Sequence, residues 1–188
     1  MAQLLITGGA GFIGSHTCLV LLQAGHDLTV LDDFSNSSPI ALERVAMLAG
    51  VATTREAETG RLDIRQGDVR DQACLQQVFN QANSTGKPIE AVIHFAGLKA
   101  VGESVREPLR YWDVNVNGSR CLLAAMHANN CRTLVFSSSA TLYGYPKSVP
   151  IPESAPIQPI NPYGHSKAAV ERMLQDLACS APDQWRIA

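Results

Sequence analysis

Leu4-Leu5-Ile6 is a short apolar run between polar Gln3 and Thr7, the pattern of a strand covered on both faces. Over residues 11–24 the apolar positions fall on one wide helical face, and Gly25 closes the segment. Residues 28–31 repeat the strand pattern. Residues 39–48 predict a second helix, with Pro39 suited to its first turn. No period is legible over 50–60, which predicts a loop. A weaker third strand at 62–65 leads into Gly67-Asp68, and 71–81 predicts a helix with Asp71 as its N-cap. Residues 91–95 form a fourth strand, 108–129 predict one long helix, and 133–136 a fifth strand ending on Ser137-Ser138-Ser139. Pro146, Pro150, Pro152, Pro156 and Pro159 exclude regular structure in the segment that follows. Residues 163–177 predict a helix, and 185–188 the start of a sixth strand.

Strands alternating with helices across short turns predict an α/β fold, a doubly wound parallel sheet with helices on both faces. Composition supports it: 188 residues, 46% hydrophobic and 17% charged, suffice for one packed domain. Lys plus Arg (15) against Asp plus Glu (17) leaves a net charge of −2, with no basic run to bind nucleic acid. A local phosphate site remains open, because a helix N-terminus makes one without net charge. No apolar stretch approaches the roughly 18 residues that span a bilayer. The N-terminus lacks the basic-then-apolar pattern of a secretion signal. The five cysteines, odd in number and never spaced C-x-x-C, predict reduced thiols and a cytoplasmic setting. Without a secretion signal, the sequons at Asn36, Asn83 and Asn117 are chance matches.

Between the first strand and first helix stands Thr7-Gly8-Gly9-Ala10-Gly11-Phe12-Ile13-Gly14. Gly8, Gly11 and Gly14 are spaced for a turn that lets a pyrophosphate approach the backbone at a helix N-terminus. Asp32, about 20 residues on at the end of the second strand, suits a ribose 2′-OH and repels a 2′-phosphate, which favours NAD over NADP. A tight structural turn with a solvated aspartate would show the same letters. Gly67-Asp68-Val69 falls where an adenine would rest, or forms a surface turn.

Tyr163 and Lys167 are four apart on one predicted helix and share a face. An ammonium beside a phenol favours phenolate, so the pair can take a proton from a sugar hydroxyl. Ser139 follows the fifth strand on the side where parallel sheets hold ligands, and can bond the reacting oxygen. Lys99, past the fourth strand, can meet a phosphate or simply stand in water. His16, His26, His94, His127 and His165 show no metal-ligand spacing, so no metal is expected.

The segments TGGAGFIGSH at 7–16, HFAGLKAVGESV at 94–105, SSSATLYG at 137–144 and NPYGHSK at 161–167 carry a resemblance. The chain resembles the extended short-chain dehydrogenase/reductases and, among them, the UDP-glucose 4-epimerase subfamily. The resemblance implies one NAD-binding Rossmann domain over 1–188, cut at the start of its sixth strand, with the C-terminal substrate domain absent. It implies NAD held as a prosthetic group and the interconversion of UDP-galactose and UDP-glucose through a 4-keto sugar. By it Tyr163 is the base, Lys167 lowers its pKa, and Ser139 binds the sugar 4-OH. Phe12 and Ile13 lie along the pyrophosphate; Asp32, Asp33 and Asn36 meet the adenosine, Asp68 and Val69 the adenine. Phe95, Ala96, Gly97 and Lys99 line the nicotinamide side. Many relatives carry Asn at the position of Val114, so either Asn115 compensates or NAD binding is altered. A homodimer through the helices at 71–81 and 108–129 is also implied as a candidate.

A sugar-nucleotide 4,6-dehydratase on the same fold places Asp-Glu after the strand-end Thr, whereas this chain has no carboxylate over 137–144. An epimerase of another UDP-sugar and a non-catalytic NAD-binding fragment remain as alternatives.

Overall fold

The computed structural model describes residues 1–54 and 60–188. Within the loop expected at 50–60, positions 55–59 lie outside the described residues. Strands β1 (Gln3–Thr7), β2 (Asp27–Asp32), β3 (Leu62–Gln66), β4 (Ile89–His94), β5 (Thr133–Phe136) and β6 (Arg186–Ile187) form one sheet. Its order is β3-β2-β1-β4-β5-β6, and every pairing is parallel. The sheet is doubly wound, as the alternation of elements predicts.

Side-chain alternation divides the core in two. Leu4, Ile6, Leu28 and Val30 point to one face, where they meet Cys18 and Leu22 of α1 (Phe12–Gln23) and Leu42 and Val45 of α2 (Pro39–Ala49). Leu5, Leu31, Val92 and Leu134 point to the other. There they meet Leu75 and Phe79 of α3 (Gln72–Ser84), with Leu122 and Met126 of a later helix. Burying a Leu or Phe side chain is worth about 1.5–3 kcal/mol, so both helix layers are firmly held. Among the described residues no helix is long and apolar enough to cross a membrane.

Two stretches depart from the sequence-based expectation. Val101–Arg106 forms a short helix, α4, which its mixed VGESVR sequence does not announce. The long helix expected at 108–129 is instead α5 (Pro108–Tyr111), a π-helical turn over Trp112–Asn117, and α6 (Gly118–Ala128). Hydrophobic period cannot foresee a π turn, which widens the ladder by one residue. The wider turn lets two successive residues face inward: Val114 packs on Leu98, Tyr111 and Tyr163, while Asn115 is buried. β4 also begins earlier than the apolar run at 91–95 implies. Exposed Glu90 interrupts the pattern at an irregularity in the register, and its carboxylate accepts from the Gln3 amide at 3.3 Å.

The last long helix, α7, spans Pro162–Ser180. Asn161 caps it by accepting from the Gly164 amide at 2.8 Å, and Pro162 occupies the first turn. Strand order reverses between β1 and β4, so the loops leaving their C-terminal ends diverge and open a crevice.

Candidate active site

β1 exits into the glycine turn at φ +70° for Gly8. A Cβ on Gly8 would meet the Ala96 backbone nitrogen at 2.5 Å, and one on Gly14 would stand 2.4 Å from the Gly8 carbonyl oxygen. Glycine is what lets the β1 exit, the β4 exit and the first turn of α1 close on one another. Gly11 opens α1 without a side-chain cap, and its first turn holds no acid. Unpaired N–H groups and the positive helix end are therefore left for an anion, with Phe12 and Ile13 exposed beside them.

Asp32 ends β2 against this turn and is only 6% exposed. One carboxylate oxygen accepts from the Ala10 amide at 2.9 Å. The other accepts from the Phe34 amide at 3.0 Å and the Ser37 hydroxyl at 2.8 Å. Asp32 thus ties two loops together and keeps acceptor capacity for a ribose hydroxyl. Asp33 and Asn36 are exposed on the same rim. Beyond β3, the Arg70 guanidinium grips Asp68 and reaches Asp113 of the π turn at 2.6 Å. The hydrogen-bonded guanidinium holds the Asp68 carboxyl below the usual carboxylate range. Val69 is buried beside it.

The β4 exit, Phe95-Ala96-Gly97-Leu98-Lys99, is held from behind. The Asn115 Oδ1 accepts from the Leu98 amide at 2.8 Å, and its Nδ2 donates to the Leu98 carbonyl at 3.0 Å and to the Ser166 hydroxyl at 2.9 Å. Ser166 donates in turn to the Tyr163 carbonyl at 2.7 Å. Both Asn115 N–H groups are spent on the wall and on α7. His94 lies beneath, its Nδ1 2.6 Å from the Thr7 hydroxyl and its Nε2 2.9 Å from the Ser119 hydroxyl. Ser119 commits its proton to the Asn115 carbonyl at 2.6 Å. His94 must therefore carry its proton on Nε2 and accept from Thr7 at Nδ1. Burial, then the charge of Lys167, drives the His94 pKa down to about 3.

Tyr163 and Lys167 complete the wall from α7. The Tyr163 ring packs edge-on to Tyr111, centroids 6.4 Å apart, and among the described residues no protein group hydrogen-bonds its hydroxyl. Lys167 Nζ donates to the Ser137 carbonyl at 2.9 Å and lies 4.6 Å from the Phe136 ring centroid. Burial pulls its pKa down to about 8.

These groups line one cleft of ≈ 470 Å³ that runs from Asp32 across the glycine turn to Lys167. All the site residues read from the sequence border it except Asn115 and Ser139. Asn115 stands behind the wall. Ser139 contacts the Thr141 hydroxyl at 2.8 Å and caps the turn at Ala140–Tyr143, while Ser137 and Ser138 face the cleft. Val114 lines the cleft itself. Sequence reading passes over Arg70, Leu98 and Arg110, and gives Ser137 and Ser138 to local backbone groups where the structure turns them to the cleft; only Arg70, two residues after Asp68, leaves a legible signal in its opposite charge. An elongated cleft with an uncapped helix end, glycines admitting no Cβ, and a carboxylate at one end fits a dinucleotide.

A family model described as GDP-mannose 4,6 dehydratase matches residues 5–182. The chain belongs to that family. It is 50% identical, over all of its length, to UDP-glucose 4-epimerase 1 of Oryza sativa subsp. japonica, and covers 49% of that protein. It is 45% identical over 98% of its length to UDP-glucose 4-epimerase of Bacillus subtilis, covering 50% of it. The crystal structure of UDP-glucose 4-epimerase from Bifidobacterium longum, in complex with NAD+ and UDP, superposes with a TM-score of 0.89 at 44% identity. That match takes in 99% of this chain and 51% of the other. The chain spans about half the length of the curated relatives it matches.

Proposed function

We propose that this chain is the NAD-binding half of a UDP-sugar 4-epimerase that interconverts UDP-galactose and UDP-glucose. One observation carries the reading: Tyr163 and Lys167, one helical turn apart, face the same cleft as the uncapped glycine turn and Asp32. The glycine turn and the α1 N-terminus would hold the pyrophosphate of NAD, Asp32 the adenosine ribose, and Lys167 the nicotinamide ribose. Bound NAD would supply the acceptor and donor of hydride at sugar C4. The Tyr163 side chain, whose oxygen has no protein hydrogen-bond partner among the described residues, would as phenolate take the proton of the sugar 4-OH and as phenol later return it. Lys167 still carries its charge at neutral pH and stands one helical turn from Tyr163. Ser139 would bind the 4-OH once its contact with Thr141 is exchanged for the sugar.

A dehydratase is disfavoured despite the family's label, because SSSATLYG at 137–144 brings no carboxylate to the β5 exit. The groups that sense sugar C2 and C6 would lie outside these residues, so the choice among UDP-sugars rests with them. A cytoplasmic setting is supported by five free cysteines. Pairing of two copies is supported by Leu109 and Trp112, large apolar residues exposed on the second of the two helical stretches.

A calorimetric titration of the chain with NAD, with NADP as control, tests the cofactor reading. Binding of NAD but not NADP is expected; binding of neither would sink it. In a complete protein containing this chain, Tyr163→Phe should remove most turnover and leave NAD bound.

A further inference from the structure

α7 repeats Tyr163, Lys167 and Glu171 at four-residue spacing, so the three share one helix face. Lys167 grips the β5 exit at the Ser137 carbonyl. Glu171 grips the next residue, accepting from the Ser138 hydroxyl at 2.5 Å. A hydroxyl on a carboxylate makes a short, charge-assisted bond, stronger than one between neutral groups. Glu171 is half-buried, and among the described residues it has no cation partner. Ser137 and Ser138 border the cleft and Glu171 does not, so it touches neither cofactor nor sugar in the site described.

The β5 exit is pinned residue by residue. The Ser137 amide donates to the His94 carbonyl at 3.1 Å, which continues the sheet. The Ser137 carbonyl takes Lys167, the Ser138 hydroxyl takes Glu171, and Ser139 caps the turn beyond. Of these anchors, Glu171 alone fixes the Ser138 side chain. Without it that hydroxyl is free to rotate toward the cleft, and of the two grips of α7 on the β5 exit only that of Lys167 on the Ser137 carbonyl remains.

We propose that Glu171 is a positioning residue: through the Ser138 hydroxyl it locks the β5 exit so that the Ser137 carbonyl holds the Lys167 ammonium beside Tyr163. The consequence for turnover rests on the epimerase reading; the placement of Lys167 does not, and it can be read directly.

The chain has four lysines, Lys87, Lys99, Lys147 and Lys167, so lysine labelled with carbon-13 at Cε yields four resolvable titrations, and Lys167→Met assigns the one that matters. Glu171→Ala releases Ser138, and with it the acceptor that favours the charged form of Lys167; the Lys167 midpoint should fall by about 0.5 pH unit or more. Ser138→Ala removes the same bond and keeps the Glu171 charge; it should lower the midpoint equally, and it carries the test if Glu171→Ala does not fold. Glu171→Gln still accepts from Ser138 and should leave the midpoint in place. Unchanged midpoints in both alanine variants overturn the proposal. So does a fall in Glu171→Gln that matches Glu171→Ala, since charge rather than the Ser138 bond would then be acting. A parallel NAD titration keeps the two readings apart: a chain that binds no NAD loses the functional reading and leaves the lysine titration intact.

Discussion

Lys167 shows how one residue answers to both sequence and surroundings. Its four-residue spacing from Tyr163 is legible in the letters, but its environment is not. α7 places it against the Phe136 ring and the Ser137 carbonyl, and burial lowers its pKa from 10.5 to about 8. Between those two values the unfolded chain binds more protons at this site than the folded one, so stability rises with pH there. Below about 8 the folded chain carries the full cost of the buried charge, on the order of 3 kcal/mol. Lys167→Met should therefore gain stability over the parent at pH 7, with the gap closing as pH rises from about 8 to 10.5. Denaturant titrations of the cofactor-free chain at several pH values measure it, and a gap independent of pH would refute it. Ser139 and Asn115 mark the limit of residue-level reading. Both sit in the right segments, yet the first turns to Thr141 and the second to Leu98 and Ser166. Which way a side chain turns from a loop or a π turn depends on partners distant in sequence.

At the scale of elements, local chemistry decides most boundaries. Asp71 caps α3 by accepting from the Ala73 and Cys74 amides, as its position ahead of a helical pattern implies. Pro39 and Pro162 open their helices at the first turn. Asn161 has a further duty, since the helix it caps carries Tyr163 two residues later. Asn161→Ala should cost about 1 kcal/mol of stability and loosen the first turn of α7. Faster amide exchange at Gly164 and His165 than in the rest of α7 would show it, and unchanged exchange there would count against the cap. The π turn at Trp112–Asn117 is the element no local rule foresees. It exists because Val114 and Asn115 must both face inward, one toward the cleft and one toward the Leu98 peptide, which the 100° step of an α-helix does not allow.

Across the whole molecule, one buried chain of hydrogen bonds joins β1, β4, the π turn and α7. It runs from Thr7 through His94 and Ser119 to Asn115, and on through Ser166 to the Tyr163 carbonyl. Its weak point is acid, because His94 must stay neutral to accept from Thr7 with Lys167 close by. The folded pKa of about 3 lies below the ordinary 6.5, so the stability His94 contributes is full above 6.5 and is lost as pH falls toward 3. The loss should approach about 1.4 kcal/mol per pH unit, and His94→Gln should flatten that slope in acid unfolding followed by circular dichroism. Hydrophobic period, glycine spacing and helix caps are local properties. By themselves they determine the alternation of strands and helices, the parallel sheet, the glycine turn, and the Tyr163–Lys167 face. The tertiary structure decided what depends on contacts between distant segments: Asp32 joining two loops, Asn115 serving the wall instead of the cleft, and the grip of α7 on the β5 exit. Each of those is set by which loops the reversal between β1 and β4 brings within hydrogen-bonding distance, and no spacing along the chain encodes that distance.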